Sequence, residues 1–251
     1  MKHELGFDPP LMNAAGSLGF APERRGAADL AHLGAFVTNP VSLAPRNPAL
    51  GVRFLSYPGG FLLHTGHPNP GLKTVIRRYA DRWARSPLSV IVHLLCQEAG
   101  EVAQMVTRLE GLVGVEGVEL GLPPQVEART ALEMIRAAEG ELPVMARLPL
   151  ERALELAVAI ATAASSGLRV TAVSLGPPRG ALPAPRAGLA HGRLYGPAIF
   201  PLALATLRSV RQAGLLVIGA GGVYRVDQIE AMLAAGAMGV QLDSVLWRGG
   251  W

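Results

Sequence analysis

The sequence predicts one (β/α)8 TIM barrel of the α/β class, spanning residues 1–251 as a single domain. Three observations carry that reading. The length of 251 residues is that of one such barrel, roughly 250 residues. Apolar runs of strand length alternate with stretches of helical spacing until eight strands are counted, with no linker between them. And the chain closes on LLVIGAGGVYRVDQIEAMLAAGAMGVQLDSVLW (215–247), which reads as strand, glycine turn, helix, strand.

The elements follow in order. PLMNAAG (10–16) is a short strand ending in small residues, and Glu23 to Leu33 has helical spacing that Gly34 ends. AFVTNPV (35–41) is the second strand. Between Pro45 and His64, the Pro58-Gly59-Gly60 turn separates two apolar runs, the pattern of a hairpin covering one end of the barrel. Pro70 opens a helix that runs to Arg85. LSVIVHLL (88–95) is a strand, Glu98 to Leu109 a helix, and GVEGVELGL (114–122) a strand. Pro123-Pro124 open a helix to Glu139. PVMARL (143–148), a helix from Leu150 to Ala164 and VTAVSL (170–175) continue the alternation. Gly176 to Tyr195 reads as a long Pro/Gly/Arg loop, and loops of that length within a compact domain are usually functional. Pro197 starts a helix to Ala213.

In the closing unit, LLVIG is too short for a buried helix and has the branched residues of a strand. Gly221-Gly222 let backbone N–H groups approach a ligand closely. Val226, Ile229, Met232 and Leu233 fall at helical spacing, Gly236 stops the helix, and GVQLDS is the eighth strand. The loops after strands seven and eight of such barrels often hold a phosphate. An ordinary βαβ turn without a ligand fits the same residues equally well.

Composition removes several function classes. Half the residues are apolar and few are aromatic, so the core is built from Leu, Val and Ala. The net charge of +4 comes from scattered arginines, with no basic stripe interleaved with aromatics, so nucleic acid is not the expected partner. A single cysteine, Cys96, excludes an intrachain disulfide framework and a Cys-rich metal site. The N-terminus has no apolar signal region. Ala153 to Leu168 is the most apolar stretch, but Glu155 and Ser165-Ser166 mark it as a packed helix rather than a membrane span. A cytoplasmic, membrane-free protein is expected. Lysine is confined to Lys2 and Lys73 and asparagine to four positions, while arginine and proline are frequent. That bias fits a thermophilic source and a GC-rich genome alike.

Five segments in register resemble the dihydroorotate dehydrogenase family of FMN-dependent barrels. They are PLMNAAGSLGF, GAFVTNPVSLAPRNPA, HTGHPNPGL, GRLYGPAIFPLAL (192–204) and VIGAGGVYRVDQIEAMLAAGAMGVQL. The fourth resembles the family's Gly-Gly-Leu-Ser-Gly-Pro-Ala-Ile-x-Pro segment. It separates the chain from other flavin barrels such as the tRNA dihydrouridine synthases. The resemblance implies FMN at the strand C-termini, on Ala15, Gly16, Arg147, Gly196, Gly221, Gly222 and Ser244. It implies a small-molecule substrate near His64, Asn69 and Ser174, a place in pyrimidine biosynthesis, and a homodimer.

The same register shows departures. The family's base follows strand four, in a pattern like Glu-Leu-Asn-x-Ser-Cys-Pro-Asn. This chain reads Glu119-Leu120-Gly121-Leu122-Pro123-Pro124 there, and proline is neither a base nor a donor. The two flavin lysines fall at Asn39 and Arg147, and arginine is not a lysine substitute. Glu119 is the expected partner of Arg147. Asp243-Ser244 stand where the family has Gly-Thr, and a carboxylate near a phosphate repels it. Asp243 therefore points away, capping adjacent backbone or pairing with Arg225 or Arg248, or else FMN binding is weakened or lost. Cys96 lies after strand three and reads as a buried structural thiol. His64 and His67 flank Gly66 as a histidine base or as solvated loop residues, His93 lies in a strand facing core or lumen, and His191 sits in the long loop. No spacing among them makes a metal site. Two functions remain open: a flavin oxidoreductase with an altered substrate site, for which dihydroorotate itself is doubtful, and a catalytically degenerate barrel that binds a ligand or partner.

Overall fold

The computed structural model of the protein describes residues 5–22, 30–184 and 188–248. Eight parallel strands close a barrel in chain order. They are β1 (Leu11–Asn13), β2 (Ala35–Val37), β5 (Ser89–Leu95), β6 (Val115–Gly121), β7 (Val144–Leu148), β8 (Ala172–Leu175), β11 (Val217–Ala220) and β12 (Gly239–Leu242), with β12 returning to pair with β1. Helices α1 (Leu72–Ala84), α2 (Ala99–Leu109), α3 (Ala128–Ala137), α4 (Ala153–Ala164), α5 (Phe200–Gln212) and α6 (Val226–Ala234) follow strands of the barrel. The buried face of α2 is Val102, Met105, Val106 and Leu109, a 3–4 residue spacing that places them on one side. Together with residues such as Trp83, Phe36 and Leu120 they form one continuous core between sheet and helices.

Two insertions leave the barrel and meet. β3 (Phe54–Tyr57) and β4 (Gly60–Leu63) form the expected hairpin. The segment 176–195, read from sequence as a loop, is a second hairpin, β9 (Arg179–Ala184) with β10 (Gly188–Tyr195). β10 pairs antiparallel with β4, giving a four-stranded sheet in the order β3-β4-β10-β9. Its prolines hid it: Pro183 lies in β9, an edge strand, where a missing N–H is tolerated.

Other boundaries moved slightly. Helix α3 starts at Ala128, so Pro123-Pro124 belong to the loop after β6, and 3-10 turns precede α4 and α5. The helix expected from Glu23 falls largely outside the described residues; its end, Leu30–His32, is a 3-10 turn. Among the described residues no helix is long and apolar enough to cross a membrane.

Candidate functional site

Strand periodicity builds the site. Residues two apart on a strand share a face, and four neighbouring strands carry the pairs Ile91/His93, Gly117/Glu119, Met145/Arg147 and Ala172/Ser174. The first members Ile91, Met145 and Ala172 join Met12, Ala35, Val37 and Ile218 in an apolar plug inside the barrel. The second members stack above it, toward the strand C-termini.

Glu119 is the hub of that polar layer and is fully buried. Its Oε2 accepts from His93 Nδ1 at 2.5 Å, and its Oε1 accepts from Ser174 Oγ and Gln241 Nε2, both at 2.7 Å. The Arg147 guanidinium stands 3.7 Å away, with its side chain 12 % exposed. Burial pushes the carboxyl up, but Arg147, His93 and Ser174 outweigh it and hold Glu119 down to about 2. Burial also keeps His93 below its usual range, against the pull of Glu119. Glu119 is therefore the anion, Arg147 the cation, and His93 a neutral donor.

A second cluster lies at the end of β12. Asp243 is buried and turns its carboxyl back onto its own loop. It accepts from the Ser244 backbone N–H at 2.5 Å and from Ser244 Oγ at 3.0 Å. Burial raises its pKa despite those donors and the charge of Arg147. Tyr224 Oη lies 2.7 Å from Ser244 Oγ, while Arg225 pairs with Asp227 and Arg248 covers the Tyr224 ring. The glycines around this loop serve chain-on-chain contact. Gly222, at φ 69°, would drive a Cβ to 2.3 Å from the Phe200 nitrogen, and Gly196, at φ 121°, to 2.4 Å from Gly60 Cα.

Above the polar layer the mouth holds two adjoining chambers, and a third cavity of about 370 Å³, lined by Gly196, Tyr224, Ser244 and Trp247 among others, lies beside them. One, about 260 Å³, is lined by residues including His64, Cys96, Leu122, Pro123, Arg147 and Arg193. The other, about 190 Å³, is lined by residues including Gly16, Asn39, Asp243 and Trp247. Ala15, Leu63, His67, Arg193 and Tyr195 line both and form the partition. Arg193 bonds His67 Nε2 through its Nη1. Burial first, then the charge of Arg193, hold His67 down to about 2. The Tyr195 ring stacks on Phe61 at 5.4 Å, and Trp247 lies against Phe61 while donating Nε1–H to the Ser17 carbonyl at 2.8 Å.

The dihydroorotate dehydrogenase family model matches residues 3–251. The catalytic subunit of dihydroorotate dehydrogenase B (NAD(+)) of Desulforudis audaxviator is 32% identical over 254 residues, covering 94% of this chain and 82% of the relative. The chain belongs to the dihydroorotate dehydrogenase family. Dihydroorotate dehydrogenase A (fumarate) of Limosilactobacillus reuteri is 28% identical over 266 residues, covering 96% of this chain and 84% of the relative. A crystal structure of DHODH in complex with ferulenol from Eimeria tenella superposes with TM-score 0.75 at 14% identity over 98% of this chain and 78% of that one, which shows the shared fold. The family is one of FMN-dependent oxidoreductases acting on small molecules.

Within that family frame the sequence-chosen residues separate into groups. Ala15, Gly16, Arg147 and His64 line the mouth chambers. Gly221 and Gly222 lie in the loop after β11, Ser244 lies in the loop after β12 with its donors taken by Asp243, and Gly196 packs on the β3–β4 turn. Ser174 lies below the chambers as a donor to Glu119. Asn69 is a loop strut: its Oδ1 accepts from the Gly71 N–H at 3.0 Å and the Ser42 N–H at 3.2 Å, and its Nδ2 donates to Ser42 Oγ at 2.9 Å. Asn39, at the first lysine position, accepts from the Gly19 N–H at 3.1 Å. Cys96 is buried against Met105, and burial pushes its thiol up to about 12. His191 is exposed on β10. Among the described residues no cluster of His, Cys, Asp or Glu could hold a metal ion.

Three residues of the polar layer and the mouth escaped the sequence reading. Gln241 was hidden in an apolar strand, where a lone buried amide is itself the signal. Arg193 and Tyr195 stand in the Gly-Arg-Leu-Tyr-Gly-Pro segment at positions where the family pattern has Gly and Ser. Two bulky side chains where the pattern is small were the readable cue to a partitioned mouth.

Proposed function

We propose that this member of the dihydroorotate dehydrogenase family works without flavin, as a barrel that binds a small molecule in the chamber at its mouth. The observation that carries this is Asp243, whose carboxyl takes the Ser244 backbone and hydroxyl donors in the loop after β12, where the FMN phosphate would sit. A phosphate dianion there must displace a carboxyl that already uses the Ser244 donors, and wherever that carboxyl is charged it also repels the phosphate. At about 4 Å and an effective dielectric constant of about 20, each like-charge pair costs about 4 kcal/mol, and a tenfold change in Kd corresponds to about 1.4 kcal/mol. The residues present therefore do not fit the cofactor.

The groups beside the chambers also fit binding better than proton abstraction. Pro123 and Pro124 line the larger chamber where the family base belongs. His67 is a neutral acceptor for Arg193, Cys96 stays a thiol, and Glu119 is held by its donors. A second reading keeps FMN and an altered substrate site. It is favoured by the raised pKa of Asp243, because a protonated carboxyl does not repel phosphate, and by Arg147 facing the mouth. Incubation with FMN followed by desalting tests the two. The flavin-free reading expects a protein without a visible flavin band, and a retained stoichiometric band refutes it.

A further inference from the structure

The larger mouth chamber carries more positive charge than its own carboxylates balance. Arg46, Arg147, Arg179 and Arg193 line it, against the single carboxylate of Glu151. Glu119 lies beneath and answers Arg147. Arg193 has no carboxylate within ion-pair distance among the described residues. Its Nη1 bonds the neutral His67 ring, while its Nε is buried without any hydrogen-bond partner. Burying a guanidinium with an unmet N–H is costly unless an anion completes it. Burial pulls the Arg193 pKa down and Arg147 adds to it, and the upward pull of the Tyr195 hydroxyl does not offset them.

Much of the remaining wall is apolar, although His64, His67, His93 and Tyr195 also line it. Leu63, Leu95, Leu122 and Leu148 line the chamber with Pro123 and Pro124. No asparagine lines it, and Gln97 is its one side-chain amide. His67 and His93 already bond Arg193 and Glu119, so a ring rich in N–H and C=O groups would find few partners among the wall's side chains, which specificity by hydrogen bonding punishes strongly.

We propose that this chamber binds a small carboxylate with a flat apolar body, its carboxylate held by the Arg193 fork beside Arg147 and its body against the leucine and proline wall. Arginine is suited to this because its planar fork takes a carboxylate through two parallel hydrogen bonds. The proposal rests on the flavin-free reading, since a flavin ring across the mouth would compete for the Arg193 side of the chamber.

Calorimetric titration of the full chain with benzoate, phthalate, orotate and inorganic phosphate tests it, with a visible spectrum recorded on the same samples. Saturable binding of benzoate or phthalate is expected, at least tenfold tighter than orotate or phosphate. Arg193→Gln should weaken it at least tenfold, and Arg193→Lys, which keeps the charge but loses the fork, should fall between. Wild-type protein that binds neither benzoate nor phthalate overturns the proposal, as does phosphate binding tighter than both. Carboxylate binding unchanged in Arg193→Gln and Arg193→Lys overturns the assigned fork. A flavin band that survives desalting defeats the flavin-free reading separately, whatever the carboxylates do.

Discussion

Replacing Glu119 by glutamine should destabilise the barrel by about 3 kcal/mol. The carboxylate accepts from His93, Ser174 and Gln241 and balances Arg147. Glutamine keeps one oxygen for Ser174 and Gln241. It places an NH2 group against His93 Nδ1 and Arg147, both donors. A hydrogen bond to a charged group contributes about 1.5–3 kcal/mol, and stranding one partner of a buried pair costs about 3–5 kcal/mol. Arg147 keeps 12 % exposure and His93 can move its proton to Nε2, so the lower end applies. For a chain of this size, 1 kcal/mol shifts Tm by about 2–4 °C, so a fall of roughly 6–12 °C is expected. Urea unfolding at neutral pH measures the free energy, and the Glu119→Gln/Arg147→Met double variant should recover part of the loss. The difference from wild type should also shrink in acid. The Glu119 pKa is depressed to about 2 from 4.5. Its contribution is therefore complete above pH 4.5 and disappears as pH falls toward 2. A single variant within about 0.5 kcal/mol of wild type would refute the idea that Glu119 holds the polar layer together.

Three further outcomes follow from the same geometry. His67 is neutral in the fold, with its pKa held to about 2 from 6.5, so unfolding takes up a proton below pH 6.5. Stability should fall with pH there by up to about 1.4 kcal/mol per pH unit for this residue, and His67→Gln should remove that slope in pH-dependent urea melts. Cys96, pushed up to about 12 and buried, should react with a thiol reagent only after denaturation; prompt labelling of native protein would contradict its burial. Gly196→Ala meets Gly60 Cα at 2.4 Å with φ at 121°, and should cost about 1–3 kcal/mol by separating the β3–β4 turn from the loop after β10, seen as a lower urea midpoint.

How much of this was legible in the sequence depends on which physical signal each part leaves. The barrel strands and helices announce themselves by period: Val102, Met105, Val106 and Leu109 could face only one way. The Arg147–Glu119 pair was readable because both lie at strand ends on neighbouring strands. Beyond such pairs, contact is set by register around the barrel, which no local pattern encodes. Gln241 reaches Glu119 across 122 positions of sequence, and Ser174 turned out to serve that same carboxylate. The hairpin at 179–195 was misread because proline and glycine signal loops, and its pairing partner β4 lies far away in the chain. Asp243 was legible as a conflict with phosphate, but its orientation is set by the fold: the carboxyl takes the Ser244 donors rather than Arg225 or Arg248.

An FMN titration followed by quenching of flavin fluorescence, with wild type and Asp243→Gly side by side, tests most directly whether Asp243 occupies the phosphate cradle. Wild type should show no saturable quenching, and the glycine variant, freed of about 4 kcal/mol per charge pair, should gain affinity by up to roughly 10³-fold. Stoichiometric FMN binding by the wild-type chain, with no gain in the variant, would contradict the account.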